Sequence, residues 1–411
     1  MVRPRVRILS LVTNLVMGGD ENRLLSFSRA LDRTRFEHTV LSLTPPDHKA
    51  LSPLGLMKPH FDRYQIPLEH LEEEPRSQRR LGQHGLSLLW GDVQSFSRVL
   101  HRLARYLRQH EIDIVDARPN HATLLGLLAG RLAGVPAVVS TSYGLDEFWH
   151  SPARFAIAQV IFSQLDANIS DSLYGIKELQ RWLLRPLRRA MVVPNGIFPP
   201  TAERGRAEMR RFFDLPEDPS IRVFGQVSRL VSYKGHRVLL DAARQVLEQE
   251  PATAFLLCGY PQPPQYLDEL RRQAARLGIA NRVRIKGYPG SIGDVWSAID
   301  IHVHASLHDS SPIAIHESMA LGLPAVVTDV GGIRELVQDD ETALVVPPGD
   351  VGALARALLR VVRDPALARS LGEQARVRFN GHFQAGIMTH ALENLFSTLV
   401  VERSCSGRRG S

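Results

Sequence analysis

Asp309 and Glu317 stand eight residues apart in the run His308-Asp-Ser-Ser-Pro-Ile-Ala-Ile-His-Glu-Ser-Met, a spacing that brackets a helix start. Ser311 reads as the N-cap and Pro312 as the first helical residue. The opening turn of a helix offers unpaired N–H groups, here those of Ile313 and Ala314, which suit an anion. Glu317, about one turn further in, can accept protons from sugar hydroxyls. An anion cradle between two acceptor carboxylates is what a nucleotide sugar needs. The pyrophosphate sits in the middle, the ribose on one side and the donor sugar on the other.

These residues need a scaffold, and the hydrophobic pattern supplies one. Apolar runs alternate with amphipathic helical runs along the whole chain, the signature of parallel sheets covered by helices. In the first half, strands are expected over 6–12, 39–43, 112–116 and 137–140, and helices over 21–31, 93–108 and 122–133. Residues 44–91 are irregular, with room for one short strand and a mobile loop. Met191 to Ile197 closes the first series, and Pro199-Pro200 and Gly205 read as a linker. The second series expects strands over 221–227, 254–258, 283–286, 301–304, 325–328 and 343–346. Its helices are expected over 235–248, 265–277, 292–298, 312–321 and 351–360. Open parallel sheets bind ligands beyond the carboxyl ends of their strands. Gly18-Gly19, Arg229, Lys234 and the Asp309–Glu317 segment all come just after strands in this way. Two such sheets facing each other would place a site in the cleft between them.

Bulk properties narrow the class. The 411 residues allow two domains, each with its own core. Hydrophobic residues make up 44% and the mean hydropathy is −0.12, as for a globular protein. Cys258 and Cys405 are too few and too far apart for a disulfide framework, which fits a reducing compartment. No apolar run reaches the length of a membrane span. The N-terminal arginines followed by 8–17 resemble a signal peptide. Thr13 and Asn14 interrupt that run, however, and a buried strand ending in a Gly-rich turn is the expectation. The net charge of +7 is uneven: residues 1–200 hold 25 Lys+Arg against 19 Asp+Glu, and residues 201–411 hold 25 against 24. A basic first half suits an anionic partner, such as a phosphorylated acceptor or a membrane surface, or is simply a solvated surface.

Taken together, the motifs resemble the retaining glycosyltransferases of family 4, whose fold is GT-B. Gly225-Gln-Val-Ser-Arg229-Leu-Val-Ser-Tyr-Lys234-Gly235 is similar to that family's Gly-x-x-x-Arg-Leu…Lys-Gly stretch. Val193-Pro-Asn-Gly-Ile197 is similar to its interdomain Pro-Asn-Gly segment. Asp309 and Glu317 stand where it has Glu-x7-Glu. Thr328-Asp-Val-Gly-Gly332 with Glu335 is similar to the family's next conserved-looking stretch after that pair. The first half matches more loosely, through Gly18-Gly19 and the 120–140 helix–strand unit.

The resemblance implies two Rossmann-like domains, 1–198 binding acceptor and 199–380 binding nucleotide sugar. Residues 381–411 would form a helix returning to the first domain, then a flexible tail. Arg229 and Lys234 would bind the donor diphosphate, where two cations stabilise a leaving group. Glu317 would bind the ribose and Asp309 the donor sugar ring. Gly287-Tyr288 would bring backbone against the nucleobase, and Gly18 and Gly19 would let backbone approach the substrate. Asn195-Gly196 reads as structural. The family often has His-x-His after its fourth strand, where this chain reads Asp116-Ala-Arg118. His121 matches a histidine that many members have at the next helix start, implying contact with the donor sugar and help in holding an oxocarbenium-like transition state.

Two further patterns carry weaker readings. His302, His304, His308 and His316 invite a metal site, and His302 and His304 share a strand face. The Asp-x-Asp metal signature is absent, and the resemblance implies neither metal nor cofactor. Arg98, Arg102, Arg105 and Arg108 lie opposite Val99, Leu103, Tyr106 and Leu107, a cationic face for anionic lipid or for water.

The expected activity is transfer of a sugar from a UDP- or GDP-sugar to a hydroxyl acceptor with retention, in polysaccharide or glycolipid assembly. Its partners would be the nucleotide sugar and a hydroxyl-bearing acceptor, lipid-linked glycan included, with no nucleic acid. The expected place is the cytoplasm, including the inner face of its membrane. The alternatives are a nucleotide-sugar 2-epimerase of the same fold and a non-catalytic binding subunit. Asp309, a methylene shorter than the family's Glu, is the departure that bears most on activity.

Overall fold

The protein's structure, a computed structural model, is described for residues 5–16, 18–47, 56–71, 93–118, 121–142 and 152–407. It divides into two compact units. The first comprises residues 1–194 with 385–411, and the second residues 195–384. The divisions therefore fall at Pro194/Asn195 and Gln384/Ala385, against expected boundaries at 198/199 and 380/381. The tail beyond Gly407 lies outside the described residues.

The first unit holds a seven-stranded parallel sheet. Its strands are β1 (Val6–Val12), β2 (Phe36–Ser42), β3 (Leu68–His70), β4 (Ile114–Arg118), β5 (Ala137–Thr141), β6 (Ala167–Ser170) and β7 (Ala190–Val192), in the order β3-β2-β1-β4-β5-β6-β7. β1 is a central strand, paired with β2 and β4 along its buried residues. Near-continuous apolar strands such as this one are buried on both faces and need a helix layer on each. One layer is built from the helices Gly19–Ala30 and Ala385–Gly407, whose Leu24, Phe27, Leu392 and Phe396 share a core with Ile8 and Phe36. The other layer includes the helices Val93–Gln109, His121–Ala133 and Pro152–Gln164, packed through Leu103, Leu107, Leu125 and Phe162.

The second unit holds a six-stranded parallel sheet. Its strands are β8 (Arg222–Val227), β9 (Thr253–Cys258), β10 (Val283–Lys286), β11 (Ile301–His304), β12 (Ala325–Thr328) and β13 (Leu344–Val346), in the order β10-β9-β8-β11-β12-β13. Its helices His236–Gln249, Gln265–Arg276 and Val351–Arg363 bury Leu239, Leu240, Leu270, Leu354 and Leu358 against Phe224, Phe255 and Val303. On the other face Trp296, Phe213 and Tyr288 pack on Val223 and Leu256. Two doubly wound α/β units are thus present, as the alternating pattern implied.

Local readings differ in places. The fourth strand runs over 114–118 rather than 112–116, so Arg118 is a strand residue and Ile112 a buried turn residue. The helix Pro152–Gln164, β6 and the helix Leu173–Trp182 fill a stretch for which no element was expected. Within 44–91 the described part contains a short helix, Lys58–Arg63, and β3; the expected mobile loop lies outside the described residues. The helix Val93–Gln109 buries Leu103 and Leu107 and exposes Arg98, Arg105 and Arg108, with Arg102 partly covered. Among the described residues, no helix is long and apolar enough to cross a membrane.

Candidate active site

Sheet order decides where each unit can bind a ligand. In the second unit the chain winds outward from β8 to β10, then returns to place β11 on the other side of β8. The loops leaving β8 and β11 diverge at this switch point, where a doubly wound sheet opens a crevice at the carboxyl ends of its strands. The β8 loop carries Arg229 and, in a single 3-10 turn (Ser232–Lys234), Lys234. The β11 loop carries Asp309 and leads into the helix Ile313–Leu321.

Gln226 and Gly235 join these two loops. Gln226, fully buried on β8, donates from Nε2 to the Lys234 carbonyl (2.7 Å) and accepts from the Ala305 N–H (3.4 Å). Gly235 ends the 3-10 turn in the left-handed region, at φ 69°. A Cβ there would collide with the carbonyl of Ala305, so glycine is required both by the backbone and by the close approach of the second loop.

Lys234 Nζ donates to Asp309 Oδ2, and the same oxygen accepts from His304 Nε2 at 2.8 Å. Burial alone would raise the Asp309 pKa. The Lys234 ammonium and the His304 hydrogen bond override it and hold the carboxyl well below the ordinary range. Burial lowers the His304 pKa, against the pull of Asp309, so the ring is neutral at pH 7. Arg229 extends over the same loop, with Nη2 donating to Tyr233 Oη at 2.5 Å and Nη1 to Gln262 Oε1 at 3.5 Å. Among the described residues it has no carboxylate partner, which leaves its charge for a ligand.

The helix after this loop is capped differently from expectation. Pro312 is itself the N-cap, with extended backbone (ψ 126°), and Ile313 is the first helical residue. Proline's fixed φ suits the half-helical N-cap as readily as the first turn. The Ser311 hydroxyl caps nothing; it is buried without a hydrogen-bond partner. The Asn195 side chain donates instead to the Ser311 carbonyl at 2.9 Å and fixes the loop just before the helix. The expected structural reading of Asn195 thus has a specific contact behind it. The N–H groups of Ile313 and Ala314 open the helix without backbone acceptors, as the first turn must.

Glu317 is buried, 8% exposed, and its Oε2 accepts from Trp296 Nε1 at 2.9 Å. Burial pushes its pKa up to about 7, against the opposing Trp296 hydrogen bond. No sequence motif announced Trp296. Tyr288 turns its side chain into the core, where its hydroxyl donates to Asp294 Oδ2 at 2.7 Å, so only backbone at Gly287-Tyr288 remains for a base. Thr328 donates to the carbonyls of His304 (3.1 Å) and Ser306 (2.6 Å), tying β12 to the β11 loop.

The four histidines do not converge. His302 Nδ1 pairs with Ser318 Oγ at 2.7 Å, His316 Nδ1 with the Pro312 carbonyl at 3.1 Å, and His304 with Asp309. Among the described residues no cluster of three or more His, Cys, Asp or Glu side chains is placed to hold a metal ion.

In the first unit the switch point lies between β1 and β4. Gly18 and Gly19 come after β1 and begin the helix Gly19–Ala30; His121, largely buried, begins the helix after β4. Gly18 is in extended backbone that any residue adopts, and a Cβ would meet only the movable end of Glu21. Neither local geometry nor packing demands glycine there.

Between these segments lies a buried charged network that the sequence did not disclose. Arg118, fully buried, donates from Nε to Asp116 Oδ2 (2.7 Å) and from Nη1 to Asp20 Oδ1 (3.1 Å). Thr141 Oγ1 donates to Asp116 Oδ1 (2.8 Å), and Ser10 Oγ to Asp116 Oδ2 (3.4 Å). Burial, then the Arg118 charge, pushes the neighbouring His38 down to about 3. The Asp-Ala-Arg that replaces His-x-His therefore bolts the start of the Gly19–Ala30 helix to the sheet. Arg118→Met should cost about 3–5 kcal/mol of stability, because it leaves buried carboxylates without their cation. Urea unfolding checks this, and adding Asp116→Asn should recover part of the loss.

Comparison with known proteins agrees with this architecture. Residues 17–199 match the family model described as Glycosyltransferase Family 4, and residues 206–378 match Glycosyl transferases group 1. The Escherichia coli UDP-Gal:alpha-D-GlcNAc-diphosphoundecaprenol alpha-1,3-galactosyltransferase is 24% identical over 320 residues, 73% of this chain and 79% of that protein. The 2-deoxystreptamine glucosyltransferase of Streptomyces kanamyceticus is 28% identical over 401 residues, 89% of this chain and 96% of that one. Among solved structures, Anabaena HepE in complex with UDP-glucose superposes with a TM-score of 0.78 at 21% identity, covering 96% of this chain and all of that one. The fold is that of the GT-B glycosyltransferases. The chain belongs to glycosyltransferase family 4.

Proposed function

We propose that this glycosyltransferase moves a hexose from a UDP-sugar to a hydroxyl acceptor with retention of anomeric configuration. The observation that carries the reading is the convergence at the β8/β11 switch point: Lys234, an Arg229 without a carboxylate partner, and the open N–H groups of Ile313 and Ala314. Two cations and a helix start together fit a diphosphate better than any neutral ligand. Glu317 takes the ribose hydroxyls, and the backbone at Gly287-Tyr288 takes the base. Asp309, and on the first unit Gly18, Gly19 and His121, keep the roles toward the donor sugar that the family resemblance implies. A UDP donor is supported by the galactosyltransferase relative and by the UDP-glucose complex of HepE.

In the proposed step the anomeric carbon–phosphate oxygen bond breaks as the acceptor oxygen attacks from the same face. The leaving phosphate oxygen takes the acceptor's proton, and Arg229 and Lys234 stabilise the developing charge. A front-face step fits the carboxylates present, since Asp309 is engaged by Lys234 and His304 and Glu317 by Trp296. No metal or other cofactor enters this scheme. A lipid-diphosphate-linked glycan at the inner face of the cytoplasmic membrane is the proposed acceptor. The basic first half and the diphosphoundecaprenol acceptor of the relative support it.

The test begins with thermal unfolding in the presence of UDP- and GDP-sugars. A true donor at a hundred times its Kd adds about 2.7 kcal/mol. Incubation of that donor with a glycan acceptor, followed by NMR of the product's anomeric proton, should show the donor's own configuration. An inverted product would overturn retention. A 2-epimer formed without acceptor would replace transfer by epimerisation. No shift with any nucleotide sugar would sink the whole reading.

A further inference from the structure

Asp309 is a methylene shorter than the glutamate of the family pattern, and His304 stands directly behind it. We infer that His304 is a positioning residue: its Nε2–H holds the short Asp309 carboxylate against Lys234, and so fixes the Lys234 ammonium where the donor diphosphate binds. The inference rests on the proposed role of Lys234 in diphosphate binding.

The geometry is restrictive. Asp309 Oδ2 receives both His304 Nε2, at 2.8 Å, and Lys234 Nζ. An ionised carboxylate can only accept, so the neutral His304 ring must carry its proton on Nε2. Its other nitrogen, Nδ1, is buried with no partner among the described residues. A ring kept for packing alone would not need a polar atom in that place, since leaving one buried and unpaired costs stability. His304 cannot swing away from Asp309. Its ring is 1% exposed on β11 beside the His302 ring, and Thr328 Oγ1 holds its carbonyl from β12. Lys234 is fixed from the other side, through the bond from Gln226 to its carbonyl.

This arrangement divides the two oxygens of Asp309. Oδ2 is committed inward to the lysine and the histidine. Oδ1 takes no hydrogen bond among the described residues and is the oxygen left for a donor hydroxyl. A carboxylate too short to span from lysine to sugar is thus made to orient the lysine first, and His304 supplies the second anchor that orientation requires.

The experiment compares His304→Leu, His304→Gln, Lys234→Ala and the double variant His304→Leu/Lys234→Ala in the intact chain. His304→Leu should lower kcat about 10- to 100-fold, as misplacing a charged group does, while KM for donor moves less. His304→Gln, whose amide can still donate, should recover most of the loss. The double variant should be no slower than Lys234→Ala alone, because His304 acts only through that lysine. Multiplying defects in the double variant, or a His304→Leu protein that melts earlier but turns over normally, would overturn the inference.

A readout independent of turnover is the 15N NMR signal of His304, assigned by its loss in His304→Gln. It should report a neutral ring protonated on Nε2. A ring protonated on Nδ1 would defeat the inference whatever the protein's activity. An inactive wild type that still shows the Nε2–H signal would instead count against the proposed function.

Discussion

Lys234→Ala should turn over its nucleotide sugar about 10²–10³ times more slowly than wild type, and Arg229→Ala should lose a comparable factor. The two losses have different companions. Lys234 is largely buried and pairs with Asp309, so its removal leaves a sequestered carboxylate with only the neutral His304 against it. Lys234→Ala should therefore also unfold at a lower temperature. Arg229 lies in the exposed loop and touches only Tyr233 and Gln262, so Arg229→Ala should melt close to wild type. Steady-state kinetics of both variants, with melting curves beside them, check the pair of expectations. Turnover within twofold of wild type in both would remove the diphosphate from this site.

The second large effect belongs to Glu317 and depends on pH. Its folded-state pKa is near 7, against 4.5 for the ordinary side chain. A carboxyl whose pKa is raised on folding favours the protonated folded form. Its contribution to stability is complete below about pH 4.5 and is lost as pH rises through about 7. Relative to wild type, Glu317→Gln should therefore gain on the order of 3 kcal/mol between pH 4 and pH 8. Binding runs in the opposite direction. Ribose hydroxyls donate best to the ionised carboxylate, whose fraction rises about tenfold from pH 6 to pH 8 for a pKa near 7. Wild-type affinity for a UDP-sugar should tighten by a similar factor over that range. Calorimetric titration with the UDP-sugar rather than UDP avoids a terminal phosphate that titrates in the same window. Glu317→Gln should bind more weakly and show no such slope; a flat wild-type profile would remove Glu317 from the ribose.

Both effects rest on residues that the sequence exposed to very different degrees. Arg229, Lys234, Asp309 and Glu317 stand out in a single chain because a polar residue among Gly and Pro, directly after an apolar run, is unusual and has few reasons to be there. Alternation of strand and helix was enough for the doubly wound class. It could not set the register of β4, because Ile112 and Arg118 are both buried, one by packing and the other by ion pairs. The stretch 152–182 escaped because its first helix is apolar on every side and shows no period to read. Tertiary partners were hidden altogether. Nothing in the spacing of Trp296 and Glu317, or of Gln226 and Lys234, foretells their bonds, which arise only when separate strands are brought side by side. Ser311 and Pro312 followed capping statistics and were overruled by Asn195, a residue 116 positions away.

The course of the chain through its two units has a consequence for how the protein is made. The second unit is one uninterrupted stretch, and its entry and exit lie side by side, with the Ile197 N–H bonded to the Phe383 carbonyl at 3.0 Å. The first unit is interrupted. Its core around Leu24 and Phe27 is closed by Leu392, Phe396 and Leu399 from the helix Ala385–Gly407. On the ribosome, the half synthesised first is therefore the half completed last. It must wait, with one apolar face uncovered, while 190 residues of the other unit emerge and fold.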